Sequence, residues 1–213
     1  MGDFNGGKTA NYHGTTTLTQ GFRDLWPDFN DKLRLGEVYE TIPVKINDFA
    51  DFAQKVEKYD TGKYKIAGFL HEILLMNYGE ILLDESYLQK AYALCHSRDI
   101  PILVDEVQTG VWVPDYFMYH RYNLKPDMVT LGKGFSGGRF SASKIIITAP
   151  MDTLGLFGAL VTNGQEELSS LAYLITMEFA AENADHIKNI GTYNEERLVE
   201  LKNRYPEIIS TIE

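Results

Sequence analysis

Apolar residues recur along this chain with two periods, and the switches between them outline its elements. Phe49, Phe52, Ala53 and Val56 fall at helical spacing behind Asp48, which has an N-cap side chain, so a helix is expected to about Tyr59. Thr61-Gly62 ends it, and Lys65 to Leu70 reads as a buried strand running into His71 and Glu72. A second helix is expected from Asp84 or Ser86, with Leu88, Ala91, Tyr92 and Cys95 on one face. Pro101 to Val104 reads as a strand, residues 114–122 as a short helix with Pro114 near its start, and Met128 to Leu131 as another strand. A glycine-rich turn and a β-branched run, Ile145 to Thr148, follow. Thr162-Asn-Gly-Gln165 matches a capping box that would open a long helix through Leu168, Leu171, Ala172, Ile175 and Phe179. A last helix spans about Asp185 to Arg204 and is stopped by Pro206. Glu37 to Ile46 alternates weakly, a candidate strand that Pro43 interrupts or confines to an edge. Residues 1–36, rich in Gly, Thr, Asn and Asp, read as loops with at most one short helix.

Strand, helix, strand, short helix, strand is the alternation of an α/β fold, with a mainly parallel sheet flanked by helices. With no repeat, low-complexity tract or linker, residues 1–213 are expected to form a single domain. The 44% hydrophobic and 23% charged composition is that of a soluble globular protein. A net charge of −10 argues against a nucleic-acid or anionic-membrane partner, while leaving room for a local basic pocket. One cysteine, Cys95, excludes an internal disulfide framework and fits a reducing compartment; on the apolar face of a helix it is expected to pack. No apolar stretch suits a membrane span or a signal peptide, so a cytoplasmic location is expected.

Two of the strands end on reactive groups. Ile102-Leu-Val runs into Asp105 and Glu106, and Met128 to Leu131 runs into Lys133 between Gly132 and Gly134. Open α/β sheets place ligand sites at the carboxyl ends of their strands. A carboxylate and an amine delivered there suit pyridoxal 5'-phosphate, since the amine can form a Schiff base and the acid can keep the pyridine nitrogen protonated. A nucleotide-binding reading competes: Gly2-Asp-Phe-Asn-Gly-Gly7-Lys8-Thr9 satisfies G-x-x-x-x-G-K-[ST], and Asp105 could then hold magnesium. That motif must follow a strand and open a helix, yet only Met1 precedes Gly2, and Ala10-Asn-Tyr-His-Gly-Thr is a poor helix start. The cofactor reading is the stronger. His13, His71, His96, His120 and His186 lack metal-ligand spacing, so no metal is expected.

Asp105-Glu-Val-Gln-Thr-Gly110, Lys125-Pro-Asp-Met-Val-Thr-Leu-Gly-Lys133-Gly and Gly137-Gly138 resemble the class III aminotransferases of pyridoxal-phosphate fold type I. The resemblance covers about residues 10–185, with looser matches at Tyr12-His13-Gly14, similar to the family's aromatic-His-Gly element, and at Thr162-Asn-Gly164, similar to its phosphate element. It implies the fold type I large domain, truncated at both ends and with the small domain largely absent. It also implies transfer of an amino group from an amino acid or ω-amine to a 2-oxo acid. Lys133 would be the Schiff-base lysine, its pKa lowered by burial, and Asp105 the partner of the pyridinium nitrogen. Val107 and Tyr12 would lie on the two ring faces, with His13 beside Tyr12 and Gln108 near the ring hydroxyl. Thr162 would reach a phosphate of the neighbouring protomer, in a homodimer. Glu72 occupies the place of the family's Glu-Pro acid near the cofactor.

Some residues depart from the pattern. Ile73 stands where the family has proline, and Val111-Trp112-Val113-Pro114 replaces Gly-Arg-Thr-Gly. The Gly-Ser-Glu-Ala-Asn loop that holds the phosphate is not found ahead of Tyr12. Two alternatives stay open: a pyridoxal-phosphate aminomutase or decarboxylase, which would share the same lysine and acid, and a non-catalytic remnant of the same fold, which the missing phosphate loop favours.

Overall fold

Asp48 begins the first described helix, α1 (Phe49–Tyr59), by accepting a hydrogen bond from Asp51 N at 2.9 Å. That satisfies one of the first-turn donors a helix leaves open. The computed structural model describes residues 42–63, 65–76, 80–140, 142–155 and 166–212. Tyr12, His13, Thr162, the capping box 162–165 and the nucleotide-binding motif at 2–9 therefore lie outside the described residues. The chain divides into two compact units. The first reaches Asp105 and includes Leu124–Met128; the second comprises Glu106–Asn123 and the chain from Val129 onward.

In the first unit, α1 buries Phe52 and Val56. The Phe52 ring meets Phe69 of strand β1 (Phe69–Glu72) edge-on at 4.9 Å and Tyr87 of helix α2 (Glu85–Ser97) at 6.3 Å. One ring thus joins three elements. α2 buries Tyr87, Leu88, Ala91, Tyr92 and Cys95, the single face the spacing predicts with Tyr87 added. Cys95 is fully buried and its thiol is pushed up to about 12 by desolvation, the inert packing residue expected.

Strand β1 starts later than the apolar run suggests. Residues 65–68 are irregular, and pairing begins where Phe69 N donates to Pro101 O at 2.8 Å. β1 then runs parallel to β4 (Ile102–Asp105), in register from Phe69↔Ile102 to Glu72↔Asp105. Between them lie β2 (Leu74–Leu75) and β3 (Ile81–Leu82), an antiparallel pair too short for alternation to reveal. The weak candidate strand at 37–46 does not form over its described end: residues 42–45 are irregular and a turn follows at Ile46–Asn47.

Strand β5 (Met128–Leu131) leads into the second unit, which holds β6 (Lys144–Ile147). The short helix expected at 114–122 is a single turn, α3 (Met118–Arg121). α4 (Glu167–Glu182) follows Glu166, whose side chain makes no cap hydrogen bond, and α5 (Ala184–Arg204) ends ahead of Pro206 as expected. α4 buries Ser169, Tyr173 and Ala180, while Leu168, Leu171, Leu174, Ile175 and Phe179 are exposed. Among the described residues no helix is long and apolar enough to cross a membrane.

Candidate active site

Two acids share the carboxyl edge of the first unit. Glu72 and Asp105 end β1 and β4 as direct register partners, Glu72 buried and Asp105 half-buried. Next to Glu72, His71 is buried, stacked on Phe69 at 4.9 Å, with Nε2 2.8 Å from Tyr92 Oη and Nδ1 3.2 Å from Glu72 O. A carbonyl can only accept, so Nδ1–H donates to it and Nε2 accepts from the Tyr92 hydroxyl. Burial holds this imidazole down to about 4, outweighing the opposing pull of the Glu72 carbonyl, and it is neutral near pH 7.

The second unit interlocks two segments, the loop 106–119 and the turn 132–138. Glu106 N donates to Thr130 O of β5 at 3.0 Å, setting the start of the loop beside the strand that leads to Lys133. Val107 then packs on Gly132: a Cβ built at Gly132 would touch Val107 Cγ1 at 3.5 Å. Gly110 lies so close to the Phe135 ring and to Glu106 O that a Cβ there would collide with both. A Cβ at Gly134 would crowd Val111 at 3.0 Å and touch Trp112 at 3.6 Å. Gly110, and less tightly Gly134, are thus the means by which the two segments approach, whereas Gly132 leaves room for a Cβ in ordinary contact.

Lys133 opens a 3₁₀ turn, Lys133–Ser136, anchored by the fully buried Phe135. That ring stacks on Phe117 at 5.5 Å and on Tyr173 of α4 at 5.7 Å. Ser136 Oγ lies 2.5 Å from Phe140 O and 3.2 Å from Lys133 O, so its hydroxyl serves the turn from within. Lys133 itself has φ 42°, a left-handed backbone that costs a residue with a side chain about 1–2 kcal/mol. Non-glycine residues kept in such conformations concentrate at functional sites. The expectation that Lys133 is buried is corrected: the turn spends its buried positions on Phe135 and Ser136, and Lys133 is exposed. Lys144, the other lysine near this turn, starts β6 and donates to Ser170 Oγ at 3.1 Å.

One residue of the site escaped the sequence reading. Glu106 is fully buried, accepting Tyr119 N on Oε1 at 2.8 Å and the Thr109 hydroxyl on Oε2. Desolvation raises its carboxyl above the usual range, outweighing the hydrogen bonds that pull it down. The signal available was the acid doublet: with Asp105 ending the strand, a second acid at the loop's start needs donors of its own, and Thr109 is near enough to supply one.

Comparison with known proteins completes the picture. The family profile for aminotransferase class-III matches residues 4–213. The chain belongs to the class III aminotransferases. It is 28% identical over 192 residues to the acetylornithine aminotransferase of Aquifex aeolicus, spanning 88% of this chain and 46% of that protein. It is 35% identical over 105 residues to the ornithine aminotransferase of Emericella nidulans, 49% of this chain and 22% of that one. Among solved structures, the ornithine aminotransferase of Plasmodium yoelii superposes with a TM-score of 0.68 at 23% identity, over 78% of this chain and 43% of that chain. This class III chain spans about half the length of the curated relatives it matches. The parallel α/β fold expected from the alternation of elements is the fold these solved aminotransferases share.

Of the residues the family pattern singles out, the first unit sets Glu72 beside Asp105, and the second sets Val107 against the glycine that precedes Lys133, with Gln108 next along the same loop. Tyr12, His13 and Thr162 fall outside the described residues.

Proposed function

We propose that this chain supplies the cofactor-ring side of a transamination site, moving an amino group from an amino acid or ω-amine to a 2-oxo acid. The observation that carries the reading is the interlock of 106–112 with 132–135, which brings Val107 and the lysine turn together. The names of the relatives favour an ornithine-type ω-amine as the donor.

The residues present fit pyridoxal 5'-phosphate. Lys133 offers an accessible amine, Val107 an apolar surface for one face of a ring, and Gln108 an amide for the ring hydroxyl. Thr130 Oγ1, on the strand leading to Lys133, is buried with no hydrogen-bond partner among the described residues, a polar atom that a bound molecule could serve. Bound there, the cofactor supplies an aldehyde and an electron-accepting ring. Lys133 Nζ would attach the cofactor covalently and, once released, move the proton at the substrate Cα. Asp105 would keep the pyridine nitrogen protonated, and Glu72 would stand beside it as a second acid. Tyr12, His13 and Thr162 would add a ring face, its neighbour and a phosphate contact, in a cytoplasmic homodimer.

The test is the visible absorbance of the purified chain with added pyridoxal phosphate, before and after borohydride, with Lys133→Ala alongside. A Lys133-dependent band that reduction fixes onto Lys133 supports the reading and opens amino-donor screening. Identical spectra for the two proteins would favour the remnant, a reading that the exposed Lys133 and the Val111-Trp112-Val113-Pro114 departure motivate.

A further inference from the structure

Glu106 is the fully enclosed charged group of the interlocked segments, and hydrogen bonds with both ends of the loop and with β5 converge on it. Its carboxylate takes the Thr109 hydroxyl and, from the far end of the loop, Tyr119 N at 2.8 Å. Its carbonyl takes Gly110 N at 2.8 Å, and its own N–H donates to Thr130 O at 3.0 Å. One residue therefore ties the beginning of the loop, its end and the strand that runs into Lys133. An enclosed carboxylate is tolerated only while donors meet it, so withdrawing a donor favours opening of the loop over leaving the acid unserved.

We infer that Glu106 is a positioning residue: by clasping both ends of 106–119 against β5, it sets Val107 and Gln108 relative to the turn that carries Lys133. The inference rests on the functional reading for what Val107 and Gln108 face. The coupling of the two segments belongs to the chain alone. Nothing in this role requires Glu106 to touch a ligand. Trp112 and Val111 lean on Gly134 from the same loop, so a loosened clasp is transmitted to the lysine turn by contact.

Two readouts test it on the full chain. Amide hydrogen exchange is followed in wild type, Thr109→Val, Thr109→Ser and Glu106→Gln, and each protein is titrated with pyridoxal phosphate while the visible circular dichroism of the bound cofactor is recorded. Thr109→Val removes the hydroxyl donor at constant shape. Exchange should rise about tenfold in both 106–119 and 132–138 while 85–97 is unchanged, and Thr109→Ser should restore it. The cofactor Kd should weaken about tenfold, with a smaller dichroic band, in parallel. A rise confined to 106–119, or wild-type Kd and dichroism in Thr109→Val, overturns the proposal. If wild type shows no Lys133-dependent band, the functional reading fails, and the exchange data still decide the coupling. Should Thr109→Val raise exchange throughout, 85–97 included, Glu106→Gln keeps the shape and one acceptor for the same test. A global rise there as well rejects a local clasp.

Discussion

Helices α2 and α4 make opposite use of their apolar residues. α2 gathers Tyr87, Leu88, Ala91, Tyr92 and Cys95 on one face, buries all five, and turns Glu85, Gln89 and Lys90 outward. α4 is the more apolar helix, yet it buries only Ser169, Tyr173 and Ala180 and leaves Leu174 64% and Phe179 62% exposed. A helix that is apolar nearly all round belongs between two layers, whereas one with a single stripe is complete against one. In α4 one layer is supplied by the turn around Phe135. The homodimer proposed above offers the other face a partner.

The largest effect that bears on this contrast comes from truncating each helix. Leu88→Ala should cost roughly 2–5 kcal/mol in urea-unfolding free energy, because Leu88 is wholly enclosed and its cavity cannot collapse freely. Leu174→Ala, on the open face, should change stability by less than about 0.5 kcal/mol. Equal losses would mean that the open face of α4 is covered in solution, and sedimentation of Leu174→Ala would then show a smaller species than wild type.

His71, lodged against Tyr92 of α2, should give the next largest effect, read through pH. Its folded pKa is depressed to about 4, so the unfolded chain takes up the proton first as pH falls. The stability it contributes is complete above the ordinary histidine range near 6.5 and is lost as pH drops through about 4. The loss comes to roughly 3 kcal/mol. Glu106 has the opposite sign: its raised pKa gives stability that is present at low pH and lost as pH rises above the ordinary glutamate range. Urea midpoints from pH 7 to 4 separate them, since His71→Leu should flatten the histidine slope. An unchanged slope would mean that His71 is solvated.

The smallest effect sharpens the contrast at the helix starts. Asp48→Ala should cost about 1 kcal/mol, because the Asp48 carboxylate accepts from Asp51 N. Asp84→Ala, at a cap position that makes no side-chain hydrogen bond, should stay within about 0.5 kcal/mol. Thermal melts of the two variants side by side decide this, and equal losses would show that Asp84 caps α2 in solution.

Much of the fold was legible where periodicity was long or punctuation strong. The Asp48 cap, the buried face of α2, the strands ending on Asp105 and Leu131 and the stop before Pro206 all follow from side-chain spacing and local backbone chemistry. The start of β1 and the β2–β3 pair were not legible. Pairing partners decide those, and two-residue strands carry no period. The site divides in the same way. Asp105 and Lys133 stood out by residue type and position, and Val107 and Gln108 through the family resemblance, while the buried role of Glu106 and the exposure of Lys133 did not.

By itself the sequence determined the alternation of elements, the places where strands hand over to reactive side chains, and the family pattern those side chains match. Such features are local, because capping, periodicity and glycine permissiveness act within a few residues of chain. Only the tertiary structure decided which glycines are close approaches, which acid of the doublet is enclosed and which face of α4 is covered. Those depend on what lies opposite each residue, and burial and hydrogen-bond satisfaction are set by neighbours distant in the chain.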